Sequence, residues 1–301
     1  MLRGLLVDAA GVLIAVGGRG VRPQVAPMRR SGARDGGKAG QTVTEWTNEA
    51  AIRRWGAMPR DLLQAMAHDG DFAKRHLINP VVLRMLGNLT GLRVLDAGCG
   101  NGYLSRMLAE RGAEVVGVEP GQSLFDFAVE QETARPQGIR YLQADLCALP
   151  DLEGPFDAVV ASMVLPAIPD WTGAMRACVH ALKPGGLLLL SANHPCFEQL
   201  WPSWRQHGEY RTSRYLTEYE IPGPSGVDFH RTISTYLNEL IRLDCHLTEI
   251  AEPGLSPQLV AEGPDGIDAY VHLPNFLVVA ARRTAQPTPS PDPRRRGGPD
   301  Q

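Results

Sequence analysis

The chain is poor in lysine, with only Lys38, Lys74 and Lys183 among its 30 basic residues, and its formal net charge is −3. That balance lacks the positive excess that sequence-independent phosphate binding requires, so no nucleic-acid partner is expected. Long apolar runs are also missing. No stretch approaches about 18 uncharged apolar residues, and none is expected to span a bilayer. The apolar run Leu5 to Val16 carries Asp8 and does not read as a secretory signal. The five cysteines, Cys99, Cys147, Cys178, Cys196 and Cys245, show no CxxC spacing and are odd in number. A disulfide framework and a cysteine metal site are therefore not expected, and the thiols read as the reduced cysteines of a cytoplasmic protein. The excess of arginine over lysine matches GC-rich bacterial coding.

What is present is the composition of a folded globular chain, with 44% hydrophobic and 21% charged residues. Residues 1–40, rich in Gly, Arg and small side chains, read as a disordered leader, and the Pro- and Arg-rich residues 284–301 as a disordered tail. One domain is expected over residues 41–283. Within it, residues 45–90 show helical spacing of Ile52, Trp55, Leu62, Leu63, Met66, Val82 and Leu86, as expected of cap helices preceding the main sheet.

From Leu92 the pattern changes to short apolar runs alternating with helical segments. Leu92–Leu95, Glu114–Val118, Phe156–Ala161 and Leu187–Ser191 read as strands, and Tyr103–Arg111 as a helix stopped by Gly112. Repeated β-α-β units imply an α/β fold, doubly wound around a mostly parallel sheet. Near the C-terminus, Thr232–Leu243 reads as a helix, then His246–Ala251 and Asn275–Ala281 as consecutive strands, which suggests an antiparallel pair at the sheet edge.

Four local patterns carry the chemistry. The strand ending at Leu95 runs into Asp96-Ala97-Gly98-Cys99-Gly100-Asn101-Gly102 before the helix opens. Glycines there permit a tight turn and a ligand lying against bare amides. Dinucleotide-binding loops use a related arrangement, but a carboxylate at Asp96 would oppose a pyrophosphate and suits a ligand bearing ammonium and sulfonium groups. Glu119 ends the next strand, where a carboxylate accepts both hydroxyls of a ribose; a dehydrogenase would use it in the same way. Gln143-Ala144-Asp145-Leu146 follows a short apolar run and offers a carboxylate and an amide to an adenine edge, while Asp145 is equally suited to cap a turn. Leu182-Lys183-Pro184-Gly185-Gly186 reads as a turn that ends a helix and restarts a strand.

Together these segments, over about Leu92 to Ser191, resemble the class I (Rossmann-like) S-adenosylmethionine-dependent methyltransferases, in particular the small-molecule group. The resemblance implies a seven-stranded sheet with an antiparallel last strand and S-adenosyl-L-methionine as cofactor. It also implies that Asp96, Gly98, Gly100 and Gly102 hold the methionine part, Glu119 the ribose, Asp145 and Leu146 the adenine, with Ser162 beside the sulfur and Asn101 among the cofactor-binding residues of the loop. No metal is implied.

Methyl transfer from a sulfonium is an in-line displacement driven mainly by positioning, and an acceptor hydroxyl gains from a base within hydrogen-bond reach. His194, past the strand end, and His230, at the lip of the following helix, are the candidate catalytic residues; a structural hydrogen-bonding role is open for each. Arg231 is a candidate for holding an acidic group or for a salt bridge. Residues 195–230 hold Phe197, Trp201, Trp204, Tyr210, Tyr215, Tyr219 and Phe229 and read as an inserted aromatic cap, either an acceptor wall or packing against the sheet edge. After the fourth strand comes Ser162-Met163-Val164-Leu165, not the Asn/Asp-Pro-Pro-Tyr segment that grips planar nitrogens, which disfavours nucleic-acid bases as acceptors and leaves O-, C- and aliphatic N-methylation open. The expected partner is a small molecule, a secondary metabolite among the possibilities, bound by a monomer or homodimer. A nicotinamide-dependent oxidoreductase and a non-catalytic cofactor-binding homologue are the rival readings.

Overall fold

The computed structural model describes residues 46–223, 226–262 and 267–285, together with a two-residue ladder of β1 (Leu6–Val7) on β2 (Leu13–Ile14). The rest of the expected leader, and the expected tail beyond residue 285, lie outside the described residues.

The sheet is built from β3 (Arg93–Ala97), β4 (Glu114–Val118), β5 (Arg140–Leu142), β6 (Phe156–Ser162), β7 (Leu182–Asn193), β10 (Cys245–Ala251) and β11 (Phe276–Arg283). Its seven strands run in the order β10-β11-β7-β6-β3-β4-β5. Strands β3 to β7 are parallel, while β11 runs antiparallel to both β7 and β10. The expected antiparallel ending is therefore present, produced by β11 inserting between β7 and β10.

Successive side chains of one strand face opposite sides of the sheet, and both sides are covered. Val94, Ala158, Val160, Leu189 and Val278 pack into one core with Leu77, Ile78 and Val82 of the N-terminal region and Leu104 and Leu108 of α4 (Tyr103–Ala109). Leu95, Val159, Ala161, Leu190 and Val279 pack into the other. There they meet Met175 and Val179 of α6 (Trp171–His180) and Tyr236 and Leu240 of α8 (Ile233–Arg242). Burial on both faces explains why these strands read as continuous apolar runs.

The strand read as Leu187–Ser191 is longer. The segment 183–186 is absorbed into β7 as an irregularity, because Phe156 pairs with Leu182 and Ala158 with Leu187, leaving extra residues on one side. Gly185 supplies the positive φ of +78° that this bend requires. The N-terminal region forms α1 (Asn48–Trp55), α2 (Arg60–Ala65) and a π-helical turn, Lys74–Ile78, continuing into α3 (Asn79–Leu86). Helix α5 (Gln122–Ala134) joins β4 to β5. The insertion after β7 holds α7 (Leu200–His207) and a hairpin of β8 (Tyr219–Pro222) with β9 (Val227–His230). Two short helices, α9 (Pro257–Glu262) and α10 (Ala269–His272), precede β11.

Candidate cofactor and acceptor site

Strands β3, β4 and β6 end side by side, and a cavity opens at their C-terminal edge, where α/β sheets bind ligands. Its wall includes Asp96, Gly98, Gly100, Asn101, Glu119, Asp145, Leu146 and Ser162, so the structure brings together eight of the sequence-derived positions.

The glycine loop is held by its own backbone. The Gly98 and Cys99 amides both donate to Val118 O, at 2.8 and 2.9 Å, which folds the loop over the end of β4. Gly98 has φ +72°, and a Cβ there would fall 2.6 Å from both methyl carbons of Val164. Gly102, absent from the cavity wall, is the N-cap of α4; its close neighbour is the Tyr141 hydroxyl, 2.5 Å from where a Cβ would sit. Asn101 uses its side chain structurally, donating to Leu63 O at 3.0 Å and accepting from the Tyr103 amide at 3.3 Å, which ties the loop to α2.

Two carboxylates give the cavity its charge. Asp96 is buried, accepts from the Ser105 hydroxyl at 2.6 Å, and burial pushes its pKa up to about 6. Glu119 accepts the Gly121 amide at 2.8 Å and the Gly100 amide at 3.0 Å; burial outweighs these bonds and raises it to about 7. Both acids are thus held in dry surroundings where a cationic ligand or a pair of hydroxyl donors restores the solvation that the ionised form lost. Asp145 does cap the short turn Leu146–Ala148, accepting the Cys147 amide at 2.9 Å through one oxygen; the other lies 3.4 Å from Asn48 Nδ2.

Sequence reasoning missed part of the wall. Asn48, Ala51, Ile52 and Trp55 line the cavity at the i, i+3, i+4, i+7 spacing of one face of α1. The periodicity marked this face as apolar, but nothing local says which surface it covers. Met163 also lines the cavity, with a left-handed φ of +60° that a non-glycine side chain rarely adopts and that ligand sites commonly hold under strain. Lys74 is the one cation on the wall among the described residues. It opens the π-helical turn, pairs with Asp71 at 3.0 Å, and packs its stem where a Cβ on Gly70 would be 2.8 Å from Lys74 Cβ. The signal available was its rarity, three lysines in the chain, joined to the glycine four residues earlier.

The structure does not bring His194 or His230 to the cavity wall. His194 accepts the Cys196 amide at Nδ1, 3.2 Å, so Nε2 carries the hydrogen and donates to Glu252 at 2.7 Å. His230 Nε2 lies 2.7 Å from Tyr215 O, which only accepts, so that nitrogen is protonated too. Its Nδ1 shares a second proton with Glu198, 2.6 Å away, in a buried pair that Tyr219 stacks against. Both imidazoles are engaged by these partners, and neither lines the cavity. Arg231 donates to the carbonyls of Leu165 and Ile168, at 3.0 and 2.9 Å, and so holds the loop that follows Ser162. The aromatics of residues 195–230 also stand off the cavity: Trp201, Phe197, Trp204 and Tyr210 pack into the core on one face of the sheet.

A parallel sheet closed by one reversed strand, with a glycine loop flanked by buried acids at two adjoining strand ends, defines a class I, Rossmann-like S-adenosylmethionine-binding protein. The comparisons agree. Residues 95–190 match a family model described as a methyltransferase domain. The structure of an S-adenosylmethionine-dependent methyltransferase from Mesorhizobium loti is 30% identical, with a TM-score of 0.59, covering 68% of this chain and 96% of that one. One from Listeria monocytogenes, 23% identical with a TM-score of 0.57, covers 67% and 94% and shares the fold. A ubiquinone biosynthesis O-methyltransferase from Idiomarina loihiensis is 38% identical over 128 residues, 41% of this chain and 53% of that protein. The Pseudomonas fluorescens protein of the same name is 34% identical over 137 residues, 42% and 59%. The chain therefore spans between half and three fifths of the length of these two curated relatives. The chain belongs to the S-adenosylmethionine-dependent methyltransferases, and S-adenosylmethionine is its cofactor.

Proposed function

We propose that the protein transfers a methyl group from S-adenosylmethionine to an oxygen of a small, largely apolar acceptor. The observation that carries this reading is the pair of buried acids, Asp96 and Glu119, on one apolar-walled cavity. The bound cofactor supplies a methyl group already activated on a sulfonium, so the protein need only orient it, keep water out and receive a proton.

Each residue takes one part of that task. Glu119 accepts the ribose hydroxyls, with its own orientation set by two backbone amides. Asp96 faces the methionine ammonium. Lys74 holds the methionine carboxylate, since a carboxylate entering a site with two acids needs a cation opposite it. Asp145 and the Leu146 amide meet the adenine edge. Ser162, whose hydroxyl lies 3.1 Å from that of Ser191, and the strained Met163 form the wall on the sulfur side. The names of the curated relatives support oxygen as the acceptor atom.

A nicotinamide cofactor fits less well, because Asp96 opposes the pyrophosphate that would lie on this loop. Among the described residues no helix is long and apolar enough to cross a membrane, and the five cysteines are unpaired, which fits action in the cytoplasm. Isothermal titration tests the cofactor reading: S-adenosylhomocysteine binds and NAD does not, and the reverse result sinks it. Incubating the protein with extracts of bacterial metabolites and S-adenosylmethionine should yield a product heavier by one methyl group, a secondary metabolite being the expected class.

A further inference from the structure

Helix α1 covers the cavity instead of a core. Of its eight residues only Ala51 is buried, and the apolar stripe that a globular helix turns inward, here Ala51, Ile52 and Trp55, lines the cavity. Eight residues make a helix about 12 Å long, too short to persist without tertiary support. Its place over the cavity therefore depends on how it is attached.

The attachments at its two ends differ in kind. At the C-terminal end, Gly56 O accepts the Ser123 hydroxyl at 2.7 Å and the Ser123 amide at 3.3 Å. A Cβ on Gly56 would fall 3.0 Å from Gly121 Cα, so two backbones meet there with no side chain between them. Gly121 in turn donates its amide to Glu119. At the N-terminal end one side chain makes the attachment. Asn48 Nδ2 donates to Cys147 Sγ at 3.1 Å and lies 3.4 Å from Asp145 Oδ2, while its Oδ1 accepts the Asp170 amide at 3.0 Å. The helix thus runs between the two acids assigned to the adenine and the ribose. From outside, the β8–β9 hairpin backs it: Arg54 donates to Gly223 O at 3.4 Å, a Cβ on Gly226 would collide with the Trp55 ring, and Trp46 meets Phe229 edge-on. A backbone contact at one end and a side-chain clasp at the other make a pivot and a latch.

Resting on the methyltransferase reading above, we propose that α1 is a strap over the adenosine end of the cofactor site, pivoting where Gly56 meets Gly121 and latched by Asn48 on the turn Leu146–Ala148. S-adenosylmethionine enters, and S-adenosylhomocysteine leaves, only with that latch released. Asn48 is then a positioning residue, acting through α1 and Asp145. Because the latch breaks on passage in either direction, its loss speeds entry and exit together and changes both rate constants more than their ratio.

Exchange of S-adenosylhomocysteine, followed by stopped-flow tryptophan fluorescence, tests this without any acceptor. N48A should bind and release the ligand about five-fold or more faster than wild type, with a smaller change in Kd. N48C supplies the second arm, because it sets a thiol beside Cys147 and lets one protein serve as its own folding control. With the disulfide between position 48 and Cys147 formed, binding and release should each slow about 50-fold or more, and dithiothreitol should restore both. The double variant N48C/C147S should not respond to oxidation. Unchanged exchange in N48A, faster release with association unchanged, failure of oxidised N48C to form the disulfide, or equal exchange in its oxidised and reduced forms would each overturn the strap. Failure of wild type to bind S-adenosylhomocysteine overturns instead the cofactor reading beneath it.

Discussion

Glu119 Oε2 accepts the amide of Gly100 at 3.0 Å, so the carboxylate at the end of β4 and the middle glycine of the β3 loop form one unit. Replacing Glu119 removes a support of the loop and, on the proposed ribose role, a ligand contact with it. Glu119→Ala should weaken S-adenosylhomocysteine binding about ten-fold or more, on the order of 1.5–3 kcal/mol for a lost charge-assisted bond, as read by calorimetry. Unchanged affinity would refute the ribose assignment.

Cofactor binding should depend on pH with a defined sign. Burial raises Glu119 to about 7 and Asp96 to about 6, and the ligand groups favour both ionised forms. Affinity should therefore be about ten-fold weaker near pH 6 than near pH 8, and Glu119→Gln should flatten most of that dependence. The ligand-free protein moves the opposite way. Raised carboxyl pKa values contribute stability that is fully present below about pH 4 and lost as pH rises from there through about 6 for Asp96 and 7 for Glu119, so its melting temperature should fall across that window, read by differential scanning calorimetry.

Lys74 should discriminate between ligands with and without a carboxylate. Lys74→Met is expected to weaken S-adenosylhomocysteine about ten-fold or more while leaving 5′-methylthioadenosine, which lacks the amino acid end, within about two-fold. Equal losses for both ligands would place Lys74 in a structural role alone.

The Glu198–His230 pair should act on stability and not on chemistry. Breaking a buried pair leaves one partner uncompensated, so His230→Ala should cost about 3–5 kcal/mol in denaturant unfolding. His194→Ala should retain turnover, because both of its nitrogens serve the protein itself. A large fall in the rate constant of folded His194→Ala protein would contradict this.

Gly98→Ala places a methyl group against Val164 and an alanine at φ +72°. The left-handed conformation alone costs roughly 1–2 kcal/mol, and the collision adds to it. Gly98→Ala should lower both melting temperature and cofactor affinity. Adding Val164→Ala should restore the part due to collision and leave the part due to backbone conformation.

The loop and acids of the cavity wall were legible because their signals are local. Asp96 at a strand end, alternate glycines, Glu119 one strand later and Asp145 beyond it each follow from where a strand stops, and register then aligns those stops on one edge. The rest of that wall was not legible in the same way. Seven aromatics clustered between residues 195 and 230 left an acceptor wall and packing against the sheet edge equally open; Phe197, Trp201, Trp204 and Tyr210 pack into the core, and α1, Met163 and Lys74 line the cavity. An apolar side chain looks the same in sequence whether it faces a core or a chamber.

The sequence by itself determined the alternation of strands and helices, the reversed ending, the glycine loop and the acids beside it, because backbone preference and hydrophobic period act over a few residues. Only the tertiary structure decided that Gly102 faces Tyr141, that His194 and His230 turn to Glu252 and Glu198, and that Lys74 and one face of α1 close the cavity. Those outcomes depend on contacts between segments far apart in the chain, where packing and the need to satisfy each buried polar group choose the partner.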